Sequence, residues 1–142
     1  MGDYTHLRMK ATVKKEFIDI FGEIALDGEW SNSSDEIFKE FGRYPRNFMI
    51  PCGMSEYIVD SWIDNSGVAK DGFGRSYNYS TGYWTFLCSL KNQADTIEKF
   101  FEIVPYFIEN IECAESLFEY DEYSKIYELK NGVITTSKGF KY

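Results

Sequence analysis

The sequence predicts an α+β fold, a two-layer sandwich of the split β-α-β kind in which two main helices lie on one face of a mostly antiparallel sheet. Three observations predict it. From Tyr4 to Val13 the chain alternates, with Thr5, Leu7, Met9, Ala11 and Val13 on one side and His6, Arg8, Lys10 and Thr12 on the other, the period of a half-buried strand. In two later segments apolar residues recur at three and four, the period of an amphipathic helix. Near the end, Asn131-Gly132 separates two strand-like runs, as the residue pair of a tight hairpin does. Two helices with one apolar face each cover one side of such a sheet, so its other side is expected to stand open.

The elements follow in order. After the strand Tyr4 to Val13, a helix is expected over Lys14 to Leu26, with Phe17, Ile20, Phe21, Ile24 and Ala25 inward and Asp27-Gly28 as its stop. Ser33 and Glu36 have capping-box spacing, which opens a short helix ending at Phe41 with Ile37, Phe38 and Phe41 inward. Gly42 to Ser80 reads as an irregular insertion; its one apolar stretch, Tyr57 to Ile63, fits strand or helix. Within it, Asp64-Asn65-Ser66-Gly67 and Asp71-Gly72-Phe73-Gly74 are turn signals, so Asp64 to Arg75 is expected to be a long, exposed, mobile loop.

Order resumes at Tyr83 to Leu90, a central strand with Trp84, Phe86, Cys88 and Leu90 on one face and Tyr83, Thr85, Leu87 and Ser89 on the other. Asn92 is placed to cap the next helix, whose apolar positions run from Ile97 through Phe100, Phe101, Val104, Phe107 and Ile108 to Ile111, with a kink expected at Pro105. Strands are expected at Cys113 to Tyr120, Ser124 to Leu129 and Val133 to Ser137. The predicted core joins Trp84, Phe86, Leu90, Phe100, Phe101, Val104, Phe107 and Ile108 to Phe17, Ile20 and Phe21.

At 142 residues the chain has the size of one domain. Its 23 Asp and Glu against 15 Lys and Arg leave a formal charge of -8, which argues against general nucleic-acid binding, because such binding draws on cations that displace counterions from phosphates. An acidic surface instead steers a small protein toward basic partners. Met1 to Lys15 is polar and charged rather than signal-like, and no apolar run approaches the roughly 18 residues of a membrane span, so a cytoplasmic protein is expected. Cys52, Cys88 and Cys113 are odd in number and widely spaced, which suits reduced thiols better than disulfides or zinc.

Catalytic motifs are scarce. His6 is the single histidine and has no fixed partner in the sequence; Cys52, between Pro51 and Gly53, is the better nucleophile, yet nothing beside it lowers its pKa. Gly72-Phe73-Gly74-Arg75 lacks the Lys-Ser or Lys-Thr pair of a phosphate loop, and Asp64, Ser66 and Asp71 lack the Gly and Glu of a calcium loop. No metal, no cofactor and no enzymatic activity are expected. Enzymatic use of Cys52 or His6 is the weakest reading.

Met1-Gly2-Asp3-Tyr4-Thr5 leading into a strand, Tyr83-Trp84, Leu90-Lys91-Asn92, Pro105-Tyr106-Phe107-Ile108 within the Ile97 to Ile111 segment, and Phe118-Glu119-Tyr120-Asp121 before Tyr127-Glu128-Leu129 together resemble small bacteriophage and mobile-element proteins with a YubB-type ferredoxin-like domain. The resemblance covers the first strand and the last sixty or so residues. It implies a ferredoxin-like fold and, for a protein of this size and charge, inhibition of a host component such as a defence system. It supplies no active site.

Two surfaces remain as candidates. Glu115, Phe118, Glu119, Tyr120, Asp121, Glu122 and Tyr123 interleave rings with carboxylates and suit a host protein with a basic surface. On the sheet face expected to be open, His6, Arg8, Lys10, Tyr83 and Thr85, together with Arg75, suit a nucleotide or similar anion or an acidic protein patch, or simply a solvated face. The leading expectation is a non-enzymatic acidic protein that inhibits a host protein in the host cytoplasm by occluding its basic surface. The alternative is a small-molecule binder.

Overall fold

The structure is a computed structural model and describes residues 3–53 and 58–142. In chain order it contains β1 (Tyr4–Val13), α1 (Ile18–Phe21), α2 (Glu36–Phe41), α3 (Met49–Cys52), β2 (Ser76–Tyr77), β3 (Tyr83–Lys91), α4 (Thr96–Phe107), β4 (Ile108–Phe118), β5 (Tyr123–Lys130) and β6 (Val133–Lys141). The α+β class is as expected. The strands form one six-stranded sheet in the order β2-β3-β1-β4-β5-β6, and every ladder is antiparallel.

β1 has the bounds its alternation predicts and lies between β3 and β4. Its Leu7, Met9, Ala11 and Val13 face a core that includes Phe21, Trp30, Phe38, Trp84, Phe86, Phe100 and Phe107. The predicted core residues all belong to this cluster, with Phe17 and Ile20 only partly buried. Buried indoles need partners for their N–H groups. Trp30 Nε1 donates to the Ile50 carbonyl and Trp84 Nε1 to the Ala25 carbonyl, each at 2.7 Å.

Several expectations change. The first helix is a 3-10 turn, Lys15–Phe17, followed by only four α-helical residues. Gly22 interrupts it, and turns continue to Gly28, which has φ +68° and lies so close to the Phe48 carbonyl that a Cβ would meet that oxygen at 2.6 Å. The cap of α2 is Asp35, whose Oδ1 accepts from the amides of Ile37 and Phe38; Ser33 Oγ accepts from the Asp35 amide instead. Of the stretch Tyr57 to Ile63, Tyr57 lies outside the described residues, and the rest holds a 3-10 turn at Asp60–Trp62 rather than a strand or an α-helix. Asn92 Oδ1 accepts from the Ile97 amide in the first turn of α4 at 2.8 Å, although the residue at the cap position is Asp95.

The long helix ends at Phe107, and β4 begins at the next residue. Pro105 is accommodated inside the last turn. Beyond it, Ile108 and Ile111 belong to the strand, paired with Val13 and Ala11, and Ala114 pairs with Met9. Two register shifts place an extra residue between these pairs, so a core-facing side chain recurs every third residue of a strand. That spacing imitates a helix in the sequence.

The sheet's second face is not open. Trp62 and Phe73 pack on it with Leu87 of β3 and Leu117 of β4, all four at most 9% exposed, with Ile58, Val59, Ile63 and Ala69 around them. The covering segment is tied down locally: Asp64 Oδ1 accepts from the amides of Ser66 and Val68, Ile63 bridges to Ala69, and the Lys70 amide donates to the Trp62 carbonyl. Asp64 to Arg75 is exposed as expected apart from Ala69 and Phe73, and Phe73 seats it on the sheet as a strap. Two rings eleven residues apart carry no period, so no pattern announces them.

Candidate functional site

The basic row on β1 lies beneath this strap. Arg8 is held between two rings, its guanidinium carbon 4.3 Å from the Trp62 ring centroid and 4.5 Å from that of Phe73. Its Nη2 donates to Glu115 Oε1 at 2.9 Å and its Nε to the same oxygen at 3.2 Å. Glu115 Oε2 accepts from Ser124 Oγ at 2.6 Å and from the Tyr142 hydroxyl at 2.7 Å. Lys10 Nζ lies 4.5 Å from the Phe73 centroid and donates to the Asp71 carbonyl. Phe73 is thus gripped by two cations, each contact contributing about 0.5–2 kcal/mol.

The remaining members of that row are also occupied or set apart. His6 is fully buried, edge-on to Trp62 with ring centroids 5.1 Å apart. Burial lowers its pKa to about 4 against the opposing field of Glu115, so the imidazole is neutral near pH 7. Thr85 is buried and donates to the Gly74 carbonyl, the Tyr83 hydroxyl donates to Glu112 at 3.1 Å, and Arg75 is exposed. A ligand face made of His6, Arg8, Lys10, Tyr83, Thr85 and Arg75 requires an open sheet, and the strap fills that place.

The acidic, aromatic segment separates into internal and external parts. Glu115 is 1% exposed and belongs to the Arg8 network, which removes it from any contact surface. Glu119 Oε1 accepts from the Tyr4 amide at 2.7 Å, and its own amide donates to the Tyr4 carbonyl. Glu122 pairs with Lys141 at 2.9 Å. Left outward are Tyr120, 71% exposed and in edge contact with the Phe118 ring, then Asp121, Glu122, which is exposed although paired with Lys141, and Tyr123 beneath the Lys138 ammonium at 3.8 Å.

This corner borders a cleft of about 850 Å³. β4 and β5 pair only at Glu115–Ile126 and Ser116–Lys125, and the cleft opens on the helix side of these strands, against the first turn of α4. Phe118, Asp121 and Tyr123 line it together with Gln93, Glu98, Lys125 and Lys138. Of these, the last four were not singled out by motif. The available signal was compositional: every carboxylate side chain precedes Asn131, whereas Lys138 and Lys141 follow it.

The thiols are not activated. Cys52 Sγ donates to the Leu26 carbonyl at 3.1 Å, and burial raises its pKa despite the field of Arg75. Burial also raises the Cys88 and Cys113 thiols. These shifts run opposite to what a nucleophile requires. Among the described residues no three His, Cys, Asp or Glu side chains gather as metal ligands, and no helix is long and apolar enough to cross a membrane. No family model, curated protein or solved structure matches the chain.

Proposed function

We propose that this chain is a non-catalytic interaction protein of the bacteriophage or mobile-element kind, which binds a host protein in the host cytoplasm and inhibits it by covering a basic surface. The observation that carries this reading is the corner at Tyr120 and Asp121, where a ring that is 71% exposed stands next to a carboxylate at the lip of a concave surface. A large exposed ring with a polar tip is the residue type that anchors protein interfaces. Arg8 and Glu115 neutralise each other inside, so the formal charge of -8 resides on the exterior and favours basic partners.

The ferredoxin-like part of this reading rests on connectivity. The first four strands stand in the order β2-β3-β1-β4, with helices after β1 and after β3, as in a β-α-β-β-α-β chain. β5 and β6 are then an added hairpin, and that hairpin builds one wall of the cleft.

The test is capture of a host protein by the purified chain at low salt, followed by measurement of the captured protein's nucleic-acid binding or other activity with the chain present. The reading requires that the captured activity fall and that Tyr120→Ala with Asp121→Asn abolish both capture and inhibition. Capture that survives this double substitution, or leaves the partner's activity unchanged, refutes it.

A further inference from the structure

The cleft floor contains a charge arrangement that the fold itself does not need. Strand registers place Ser116 beside Lys125 and Lys125 beside Lys138, one row across β4, β5 and β6. Both lysines line the cleft. Like charges directly opposed on neighbouring strands destabilise a sheet. Among the described residues neither lysine takes part in an ion pair, although Asp3, Glu98 and Asp121 line the same cleft. Lys138 rests instead on the face of the Tyr123 ring. Two exposed lysines paired across neighbouring strands of an acidic protein, neither in an ion pair with the carboxylates around them, leave positive charge that a bound anion would neutralise.

The surroundings narrow the anion. A volume of about 850 Å³ falls within the range of small-molecule sites, about 300–1,000 Å³. The first turn of α4 borders the cleft, and the partial positive charge of a helix N-terminus adds to the field of the lysines. The three carboxylates oppose a polyanion, so the site suits one phosphoryl group rather than a chain of them. They also offer acceptors for hydroxyl or amino groups on the rest of the ligand. The rings of Phe118 and Tyr123 supply apolar area beside the lysines.

We propose that Lys125 and Lys138 anchor a binding site for a small organic monophosphate of the nucleoside monophosphate class, with the phosphoryl group between the two ammonium groups and the organic part toward Phe118, Tyr123 and Asp121. This site shares Asp121 with the Tyr120 corner, but its anchors are the two lysines, neither of which the partner contact uses, so lysine substitutions test it separately.

Titration calorimetry of the full chain with adenosine monophosphate, adenosine and inorganic phosphate tests it, alongside Lys125→Gln and Lys138→Gln. The monophosphate is expected to bind at least about tenfold more tightly than adenosine or inorganic phosphate, and each substitution to weaken it by about tenfold or more. Thermal unfolding separates this role from a structural one. Relief of the cross-strand repulsion should raise the ligand-free Tm of Lys125→Gln at low salt, with the gain shrinking as salt is added; Lys138→Gln also loses its contact with the Tyr123 ring and is read by affinity alone. No monophosphate binding at about 10 mM, unchanged affinity in both variants, or a lower ligand-free Tm in Lys125→Gln would overturn the proposal. Capture of a host protein by the Tyr120 corner would be unaffected by any of these outcomes.

Discussion

Arg8 on β1 and Glu115 on β4 are direct cross-strand partners whose charges meet at 2.9 Å beneath the rings of Trp62 and Phe73. Burying two charges costs desolvation energy, which this pair recovers only by staying together with its added hydroxyl donors, Ser124 and Tyr142. Removing one member leaves the other uncompensated. Glu115→Ala is expected to lower stability by about 3–5 kcal/mol in urea unfolding. The double variant Arg8→Met with Glu115→Leu should lose much less than the sum of the single losses. A single-variant loss below about 1 kcal/mol, the scale of exposed ion pairs, would show that water reaches the pair.

Phe100 of α4 is fully buried and touches the rings of Trp30, Phe41, Trp84, Phe86 and Phe101. Its loss leaves a cavity bounded by rigid rings that cannot collapse into it. Phe100→Ala should cost about 3–5 kcal/mol in denaturant unfolding, and a cost under about 1 kcal/mol would mean that the helix presents another face to the sheet.

His6 predicts an acid-sensitive stability. Its folded pKa is near 4, below the unfolded value of 6.5, so between these limits the unfolded chain binds the proton that the folded chain refuses. Stability is complete above pH 6.5 and falls as pH drops toward 4, by at most about 1.4 kcal/mol per pH unit. Asp71, Lys10, Arg8, Cys113, Glu115 and Tyr142 belong to the same covered face. His6→Gln should flatten the profile between pH 4 and 6.5 in particular, which urea midpoints measured across that range would reveal. An unchanged slope would assign the acid sensitivity to the carboxylates.

At the Tyr120 corner, charge and ring should act on different rate constants. Asp121→Asn is expected to slow association with a basic partner and to weaken its salt dependence, whereas Tyr120→Ala should speed dissociation. Surface plasmon resonance at two salt concentrations resolves the two effects. Neither substitution should move stability by more than about 0.5 kcal/mol, since both side chains are exposed.

The sequence by itself determined the elements whose information is local. β1 runs over the residues whose alternation marks it, because side chains of a strand point to opposite faces in turn, although the second face proves to be covered as well. β3, β5 and the Asn131-Gly132 turn, with φ +52° and +75°, were also legible, the turn because left-handed backbone conformations demand those residue types, whereas β6 runs on to Lys141, past its expected end at Ser137. The aromatic core was legible from α4, since one helical stripe names its own buried residues. Tertiary structure decided what pairing across the chain decides. Ile108 and Ile111 continue a helical spacing in the sequence, and only the register shifts against β1 make them strand residues. Glu115 reads as one more surface carboxylate until Arg8, 107 positions earlier, is brought against it. Trp62 and Phe73 show no period, and only their fit over Arg8, Leu87 and Leu117 turns a Gly-rich loop into the cover of a sheet. Burial, and with it the accessibility of every proposed site, is a property of long-range contacts, and these have no signature within a local window of sequence.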